Sequence, residues 1–224
     1  MRSWSFLLIS FAGAACAAPP PHLELAYEVT KNGSPIAEIS QDLRYGAGKY
    51  LLTETWEGRG LYRLLGSITR TSRGEVGPEG LVPLEYSDVR TGRSTGRASF
   101  DWKAKTVTYQ YKGPPKTIPL PPNPRDPLQF LLQFAFKPPQ GAHVALDVID
   151  GRGISDQVYQ AEGHERFRTP AGEFDALKLI RRKQGKERAE IWLAADRDYL
   201  PVRVLIVTKE GDRVDQVVTR VSAP

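Results

Sequence analysis

The sequence contains few of the side chains that usually carry catalysis or metal binding, and they are widely spaced. There are one cysteine and three histidines, His22, His143 and His164. No histidine has another histidine two or four positions away, the spacing that would place two metal ligands on one face of a strand or helix. His164 lies between Glu162 and Glu165, and it could ligate a metal ion only if other strands supplied further ligands. We predict no metal site.

Serine and carboxylate chemistry has equally weak support. Ser94 lies in a predicted loop, Arg93-Ser94-Thr95-Gly96, and not in the strand-to-helix elbow that positions a hydrolase serine. Two carboxylates could carry out glycoside hydrolysis. However, Asp147 with Asp150, and Asp196 with Asp198, flank turns, where aspartate side chains commonly bond the backbone. We therefore predict no catalytic residue and no cofactor, and a hydrolase of envelope glycan or ester is the least favoured function.

The first residues have the order of charge and hydropathy of a secretory signal. Arg2 precedes an uncharged, largely apolar stretch that ends in the small residues Ala15-Cys16-Ala17. This order is typical of a cleavable signal peptide, and the apolar stretch is shorter than the about 20 residues that a transmembrane helix needs. We expect residues 1–17 to be a signal peptide, and residues 18–224 to form a single exported β domain in the periplasm.

Cys16 leaves an alternative for the exported chain. A bacterial lipoprotein signal carries its modified cysteine after a Leu-Ala-Gly-like triplet, whereas Gly13-Ala14-Ala15 lacks the large apolar first residue. We favour cleavage after Ala17, which removes the only cysteine and with it disulfide and thiolate chemistry. A lipid anchor at Cys16 is the alternative, and no segment predicts a transmembrane span.

The charge pattern argues against a nucleic-acid partner. The net charge is +5, and acidic and basic residues alternate along the chain instead of forming a basic stripe. Nucleic-acid binding favours a basic face with interleaved aromatic side chains. Weak attraction to anionic headgroups of lipid or lipopolysaccharide remains compatible with this charge.

Apolar and polar residues alternate through most of the exported region. Leu23, Leu25, Tyr27 and Val29 show the pattern, which predicts antiparallel strands with one buried face. Asn32-Gly33 predicts a tight hairpin after the first strand. A fourth strand is predicted from Tyr62 to Val76, with Gly66 as a bend. The motifs Gly58-Arg59-Gly60 and Gly151-Arg152-Gly153 lie in predicted turns, since neither has the strand-to-helix context of a phosphate-binding loop.

One helix is predicted after a Pro-rich arm at residues 113–125. Asp126 is suited to cap the helix N-terminus and Pro127 to the first helical position. Apolar residues recur at helical spacing up to Phe136, and Pro138-Pro139 ends the helix. Because nearly all of its faces are apolar, we expect it to be buried.

The predicted fold is all-β and mainly antiparallel. It is a curved sheet, an incomplete barrel or a sandwich of about 12 strands around one buried helix near residues 126–137. Such a structure either fills its interior with side chains or encloses a ligand cavity. If a cavity lies under the helix, the candidate ligand-binding residues are Trp56, Trp102, Tyr109, Tyr111, Phe130, Leu131, Phe134 and Trp192.

Several short motifs, in a fixed order, resemble the bacterial exported family called domain of unknown function 3108 (DUF3108). They are Leu25-Ala26-Tyr27-Glu28-Val29, Gly80-Leu81-Val82-Pro83-Leu84-Glu85-Tyr86, Phe100-Asp101-Trp102, Asp126-Pro127-Leu128-Gln129, Thr169-Pro170-Ala171-Gly172-Glu173-Phe174, Ile191-Trp192-Leu193-Ala194 and Tyr199-Leu200-Pro201-Val202-Arg203. The resemblance covers nearly the whole exported chain. It implies no established activity, so it assigns no catalytic residue.

The last third of the chain also resembles periplasmic lipoprotein carriers of the LolA and LolB kind, through the strand with Trp192 and the Leu200-Pro201-Val202-Arg203 segment. Those carriers are open β-barrels with a helical lid over an apolar cavity. They have more than one helix, whereas this sequence predicts one. The likeness implies a lipid-binding role only by analogy of fold.

We therefore expect a non-enzymatic envelope protein that binds an apolar or amphipathic small ligand, such as a lipid or acyl chain. The alternative is a structural or protein-interaction module that uses exposed strand edges or the Pro-rich arm. The oligomeric state is not predictable from these patterns.

Overall fold

The computed structural model describes residues 19–183 and 185–223. The predicted signal peptide at residues 1–17, including Cys16, lies outside these residues. In the described part, no helix is long and apolar enough to cross a membrane.

In residues 19–183 and 185–223, fifteen strands form one sheet that curls around one α-helix, and one short, exposed 3₁₀ helix connects the third strand to the fourth. The helices are η1 (Gly60–Leu65) and α1 (Gln129–Phe136). The strands are β1 (His22–Lys31), β2 (Ser34–Gly46), β3 (Lys49–Gly58), β4 (Ser67–Gly77), β5 (Gly80–Arg90), β6 (Gly96–Asp101), β7 (Thr106–Gln110), β8 (Lys116–Pro119), β9 (Pro124–Arg125), β10 (His143–Asp150), β11 (Gly153–Thr169), β12 (Gly172–Arg182), β13 (Arg188–Ala194), β14 (Leu200–Val207) and β15 (Arg213–Ser222).

The strands pair in the order β8-β7-β6-β5-β4-β3-β2-β1-β15-β14-β13-β12-β11-β10-β9. Chain neighbours are therefore sheet neighbours, except that β1 pairs with β15 in the middle and β8 and β9 form the two edges. The pairings are antiparallel apart from the short parallel pair β9–β10. Among the described residues the two edges do not pair with each other, so the sheet is not closed into a barrel.

Alternation of burial along β1 shows why these residues form a strand with one core face. Leu23, Leu25, Tyr27 and Val29 are buried, whereas the residues between them are half-buried. The predicted Asn32-Gly33 hairpin follows, with φ of 50° at Asn32 and 84° at Gly33. Both residue types tolerate positive φ, so this turn is determined locally.

The predicted all-β class is confirmed, with differences in detail. The Pro-rich arm contributes the short strands β8 and β9, which raises the strand count above the predicted number. The predicted fourth strand is wrong at its start, because residues 60–65 form η1 and the strand begins at Ser67. Gly66, with φ of 78°, turns the chain from η1 into β4.

Helix α1 lies between two walls of the curved sheet and contacts β5 and β14. It is shorter than predicted at both ends. Leu128, Leu132 and Ala135 belong to the larger hydrophobic core. On another side of the helix, Leu131 and Phe134 pack in a smaller cluster with side chains of β10 to β13. The helix therefore joins the two cores.

The sheet curls so far that β6 approaches β10, although ten strands separate them in the sheet order. Gly151, in the β10–β11 turn, lies against Gly96 at the start of β6. A Cβ atom added to Gly151 would lie 2.5 Å from the Gly96 Cα and 2.6 Å from the Gln110 carbonyl oxygen. Only glycine fits this contact, which we call the seam.

Candidate functional site

The interior directly beneath α1 is filled by the protein's own side chains. Leu128, just before the helix, and Leu132 and Ala135 within it are almost completely buried. A ligand site must therefore lie beside the helix, or the helix must move to open one.

The structure distributes the predicted ligand-binding residues over several places. Those that pack in or against the larger core are Trp56, Tyr109 and Trp192. Those in or against the smaller cluster are Phe130, Leu131 and Phe134. The eight residues consequently do not surround one common space.

The other two predicted residues lie in turns outside both cores. Trp102, after β6, is 37% exposed, and its Nε1 donates a hydrogen bond to the Pro83 carbonyl oxygen at 2.8 Å. Tyr111 follows β7, and the Arg152 guanidinium lies 4.6 Å from its ring centre. This stacking holds the β7–β8 turn against the seam.

A cleft of about 380 Å³ opens between α1 and the β10–β11 hairpin. Phe130 forms one wall and stacks on Tyr159, with ring centres 6.4 Å apart. Val148 and the 44%-exposed Ile154 add apolar surface. The remaining lining residues are Pro127, Asp150, Arg152, Gly153, Ser155 and Gln157. An apolar wall with a few polar groups at its margin is the usual composition of a small-ligand site.

A second cleft, of about 280 Å³, flanks the other end of the helix. It contains Phe134 and Leu146, but most of its margin is polar, with Arg125, Lys137 and Glu79 among the lining residues. It is smaller and less apolar than the cleft at Phe130.

A buried hydrogen-bond chain fixes the start of the helix. The Asp126 Oδ1 accepts hydrogen bonds from the backbone N–H groups of Leu128 at 2.9 Å and Gln129 at 2.8 Å, as a helix cap does. The Ser72 hydroxyl donates to Asp126 Oδ2 at 2.6 Å, and the Tyr50 hydroxyl lies 2.9 Å from Ser72 Oγ. Asp126 therefore accepts the first backbone N–H groups of the turn that leads into α1, as predicted, but the helix itself begins at Gln129 and not at Pro127. The attachment of Asp126 to β4 was not foreseen.

Burial of Asp126 changes its proton affinity. The pKa of this carboxyl is raised from 3.8 to about 6 because burial disfavours the charged form, although the hydrogen bonds from Ser72 and the helix backbone oppose the shift. The neighbouring Tyr50 has its pKa raised by the same burial. Burial also lowers the pKa of the adjacent Arg125.

Two glutamines attach the body of the helix to β5. The Leu81 backbone N–H donates to Gln133 Oε1 at 2.7 Å, and Gln129 Nε2 donates to the Leu81 carbonyl oxygen at 2.8 Å. Gln133 Nε2 also donates to the Glu79 carbonyl oxygen at 2.5 Å. Gly80 permits this approach, because a Cβ there would lie 2.6 Å from Gln133 Nε2.

A row of polar side chains crosses the core face of β2 to β5, which sequence reasoning missed. Gln41, Glu54, Arg70 and Asp88 occupy directly opposite positions on successive strands. Gln41 Nε2 donates to Glu54 at 2.7 Å, and Arg70 donates to Glu54 at 2.9 Å. The sequence did contain one local sign of this row. In the apolar–polar alternation of β3, Glu54 occupies an inward position between Leu52 and Trp56.

The charges of the row are paired within it or with Arg90, although the buried Arg70 Nε has no hydrogen-bond partner. Burial by itself would raise the pKa of Asp88, but the hydrogen bonds from Arg90 and the charge of Arg70 outweigh it, and the pKa is lowered. Trp56 Nε1 donates to Glu54 at 2.6 Å, and the Arg70 guanidinium lies over the Trp56 ring. The carboxylates of Glu54 and Asp88 both have cationic partners, as expected of residues with a structural role.

The carboxylates considered for catalysis mostly bond the backbone. Asp150 Oδ1 accepts from Arg152 N at 2.7 Å, and Asp196 Oδ1 accepts from Asp175 N at 3.2 Å. Asp147 Oδ2 accepts from Asn123 N at 3.0 Å. The segment Gly92–Gly96 has Gly-x-Ser-x-Gly spacing, but it connects β5 to β6 and so forms no strand-to-helix elbow.

The ligand atoms of His22, Glu24 and Asp42 lie within 4.8 Å of one another, a spacing that could hold a metal ion. His22 Nε2 is 3.1 Å from Asp42 Oδ2. The Arg44 guanidinium already donates to both Asp42 oxygens, at 3.0 and 3.2 Å. This fixed positive charge opposes a metal cation, so the arrangement is better explained as an ion-pair cluster on the sheet. His164 lies 3.3 Å from the exposed Asp175.

Trp192 is enclosed by cationic and aromatic groups. It faces Lys178 and Arg203 across the neighbouring strands. Lys178 Nζ and the Arg203 guanidinium lie 4.9 and 4.5 Å from the Trp192 ring centre, and Phe167 stacks on it at 6.1 Å. Arg203 is held by Asp215 through bonds of 2.8 and 2.6 Å. These packing contacts account for the motif around Trp192 and Arg203.

These features define a class of protein: an open antiparallel β-sheet curled around an internal helix. The model of the family described as "Protein of unknown function (DUF3108)" matches residues 23–218. The chain belongs to the DUF3108 family, as its motifs predicted.

One solved structure supports the fold, and a second gives a weaker match. A beta-barrel-like protein of domain of unknown function DUF1849 from Brucella abortus matches with a TM-score of 0.60 and 9% identity, over 92% of this chain and 99% of that chain. A candidate exported protein with a YmcC-like fold from Bacteroides fragilis matches with a TM-score of 0.43 and 10% identity, over 92% and 100% of the two chains. The former likeness shows the fold alone, and the latter score is too low to support a conclusion. No curated protein matches this chain.

Proposed function

We propose that this protein is a non-enzymatic protein of the cell envelope that binds a slender apolar group, such as the acyl chain of a lipid, in the cleft beside Phe130. The observation that carries the proposal is the apolar wall formed by Phe130, Val148 and Ile154 between α1 and the β10–β11 hairpin. Its volume of about 380 Å³ falls within the range of small-ligand sites.

The margin of the cleft suits an amphipathic ligand. Arg152 lines the cleft with a half-exposed side chain, paired with Asp150 at 3.1 Å. An anionic headgroup could share this guanidinium, because 46% of the side chain stays exposed beside the Asp150 pair and the Tyr111 stack. The apolar chain would then lie along Phe130 and the exposed face of Ile154. The predicted residues Leu131 and Phe134 belong to the small cluster against which Phe130 packs, and they would act by holding the helix in position.

The test fills the cleft from its exposed rim. Ser155 lines the cleft and is exposed, whereas its neighbour Asp156 is also exposed but points to the opposite face of β11. We expect Ser155→Trp to reduce binding of a fluorescent fatty acid at least tenfold, and Asp156→Trp to leave it unchanged. Lipid extraction and mass spectrometry of the purified protein identify the natural ligand. Equal binding by both variants, or no binding by the parent protein, would refute the proposal.

A protein-interaction role is the second candidate. It is supported by a groove of about 540 Å³ on the other side of the sheet, where Arg73, Glu85 and Arg97 are among mixed polar and apolar lining residues. This lining is more typical of a protein surface than of a lipid site. Crosslinking in the envelope from a photoreactive residue at position 97 tests it, with position 156 as the matched control.

A further inference from the structure

The 3₁₀ helix η1 carries the most exposed apolar side chains of the described residues. Leu61 is 84% exposed, Leu64 85% and Leu65 73%, and Tyr62 is also exposed. None of the six residues of η1 is buried. Large apolar side chains rarely cluster in this way on a surface that faces only water. We call this segment, Gly58–Gly66 with its exposed leucines, the tip.

Specific backbone and side-chain contacts hold the tip in a defined conformation. A Cβ on Gly58 would lie 2.3 Å from the Tyr62 carbonyl oxygen, so the chain folds tightly back on itself there. At the other end, the Ser67 N–H donates to Thr91 Oγ1 at 3.1 Å, which ties the base of the tip to the β5–β6 turn. Arg59 joins the tip to the sheet by ion pairs with Glu28 and Glu38.

The chain of the tip carries basic residues and no acidic one, while Glu28, Glu38 and Glu57 lie on the strands at its base. No acidic residue occurs from Gly58 to Arg73, or in the neighbouring segment from Val89 to Phe100. Arg63 lies within η1 and Arg93 in the adjoining turn, and neither takes part in an ion pair among the described residues. The leucines are therefore bordered by two arginines, Arg63 and Arg93, without a carboxylate partner among the described residues, while Arg59 at the base of the tip is paired.

We propose that the tip docks this protein onto an anionic lipid bilayer. The leucines stand outward from a convex turn and form no groove, so a fluid apolar layer can receive them more readily than a rigid protein surface. Exposed leucines at the acyl boundary with basic side chains at headgroup level are the arrangement of interfacial membrane anchors. Tyr62 suits the boundary itself, because its ring is apolar and its hydroxyl polar.

The test is cosedimentation of the full processed protein with vesicles. We expect binding to vesicles of phosphatidylglycerol and phosphatidylethanolamine, and weaker binding to phosphatidylcholine vesicles. Leu61→Ser/Leu64→Ser should lower binding at least tenfold, because each buried leucine contributes enough to change affinity by about this factor. Arg63→Ser/Arg93→Ser should remove the preference for anionic lipid. The matched control is Leu51→Ser/Ile206→Ser, which removes two leucine-sized, exposed side chains elsewhere on the sheet.

Three outcomes would overturn this proposal. The first is an absence of vesicle binding by the parent protein, and the second is equal binding by the tip and control variants. The third is that the parent protein binds no vesicles but forms a dimer, which the substitutions Leu61→Ser/Leu64→Ser dissociate. The last outcome would assign the tip to a second copy of the chain. Ser155→Trp, which fills the cleft, should leave vesicle binding unchanged, so failure of the ligand proposal and failure of this one are distinguishable.

Discussion

Asp126 combines a local and a tertiary role in one side chain. One carboxylate oxygen caps the helix, and the other accepts the bond from Ser72 on β4. The capping role follows from its place before Pro127. The raised pKa does not, because it depends on burial by strands distant in sequence.

We expect Asp126 to make stability fall with rising pH. Its folded pKa of about 6 lies above the ordinary 3.8, so the folded state binds the proton more tightly than the unfolded state. The stabilisation is complete below about pH 4 and is lost as pH rises through about 6, a loss of about 3 kcal/mol. Urea unfolding of Asp126→Asn should lack this decrease while keeping the cap. Parallel pH profiles for the parent and variant proteins would contradict the assignment.

At the scale of elements, polar contacts give α1 its position and apolar contacts give it most of its burial. The helix sequence is nearly all apolar. Its two glutamines therefore determine where the helix lies along its axis, and how it is rotated about that axis, relative to β5. Unpaired buried amides are costly. A helix shifted along β5 would lose these hydrogen bonds, so the glutamines favour one packing position of α1 over the others.

Gln133→Ala tests this docking. It leaves the Leu81 N–H and the Glu79 carbonyl oxygen without their partner, and we expect a loss of about 1 to 3 kcal/mol in the free energy of unfolding. Gln140→Ala, at an exposed position just beyond the helix, is the control and should change it little. The measurement is chemical denaturation followed by tryptophan fluorescence. Similar values for both variants would show that the glutamine bonds do not hold the helix.

At the scale of the whole molecule, the seam determines how far the sheet curls. The β10–β11 turn meets the start of β6 through two glycines, and Arg152 from the same turn stacks on Tyr111. The cleft beside Phe130 adjoins this turn. The seam therefore shapes the proposed ligand site as well as the sheet.

Gly151→Ala should open or strain the seam. The added methyl group would lie 2.5 to 2.7 Å from backbone atoms, and overpacking of this kind costs about 1 to 3 kcal/mol. Gly113→Ala is the matched control, since a Cβ there meets nothing within 4 Å and its φ is not positive. Thermal unfolding checks the difference. An unchanged melting temperature for Gly151→Ala would contradict a close seam.

The sequence by itself determined the elements whose signals are local. The alternation in β1, the Asn32-Gly33 turn, the Asp126 cap and the Pro-rich boundary each depend on neighbouring residues, and all are present in the structure. The 3₁₀ helix was missed because its apolar residues resemble a strand when their exposure is unknown. Edge strands β8 and β9 were missed because they are short and lie in a Pro-rich arm, and proline cannot donate a hydrogen bond to a strand ladder.

Only the tertiary structure decided which side chains meet. Glu54 and Asp88 lie 34 positions apart, and only the strand register places Arg70 between them. The same holds for the eight aromatic and apolar residues predicted to line one cavity, because composition reports how much apolar surface exists and not how the sheet curls. The packed interior and the cleft at Phe130 follow from long-range contacts, which no local pattern in the chain encodes.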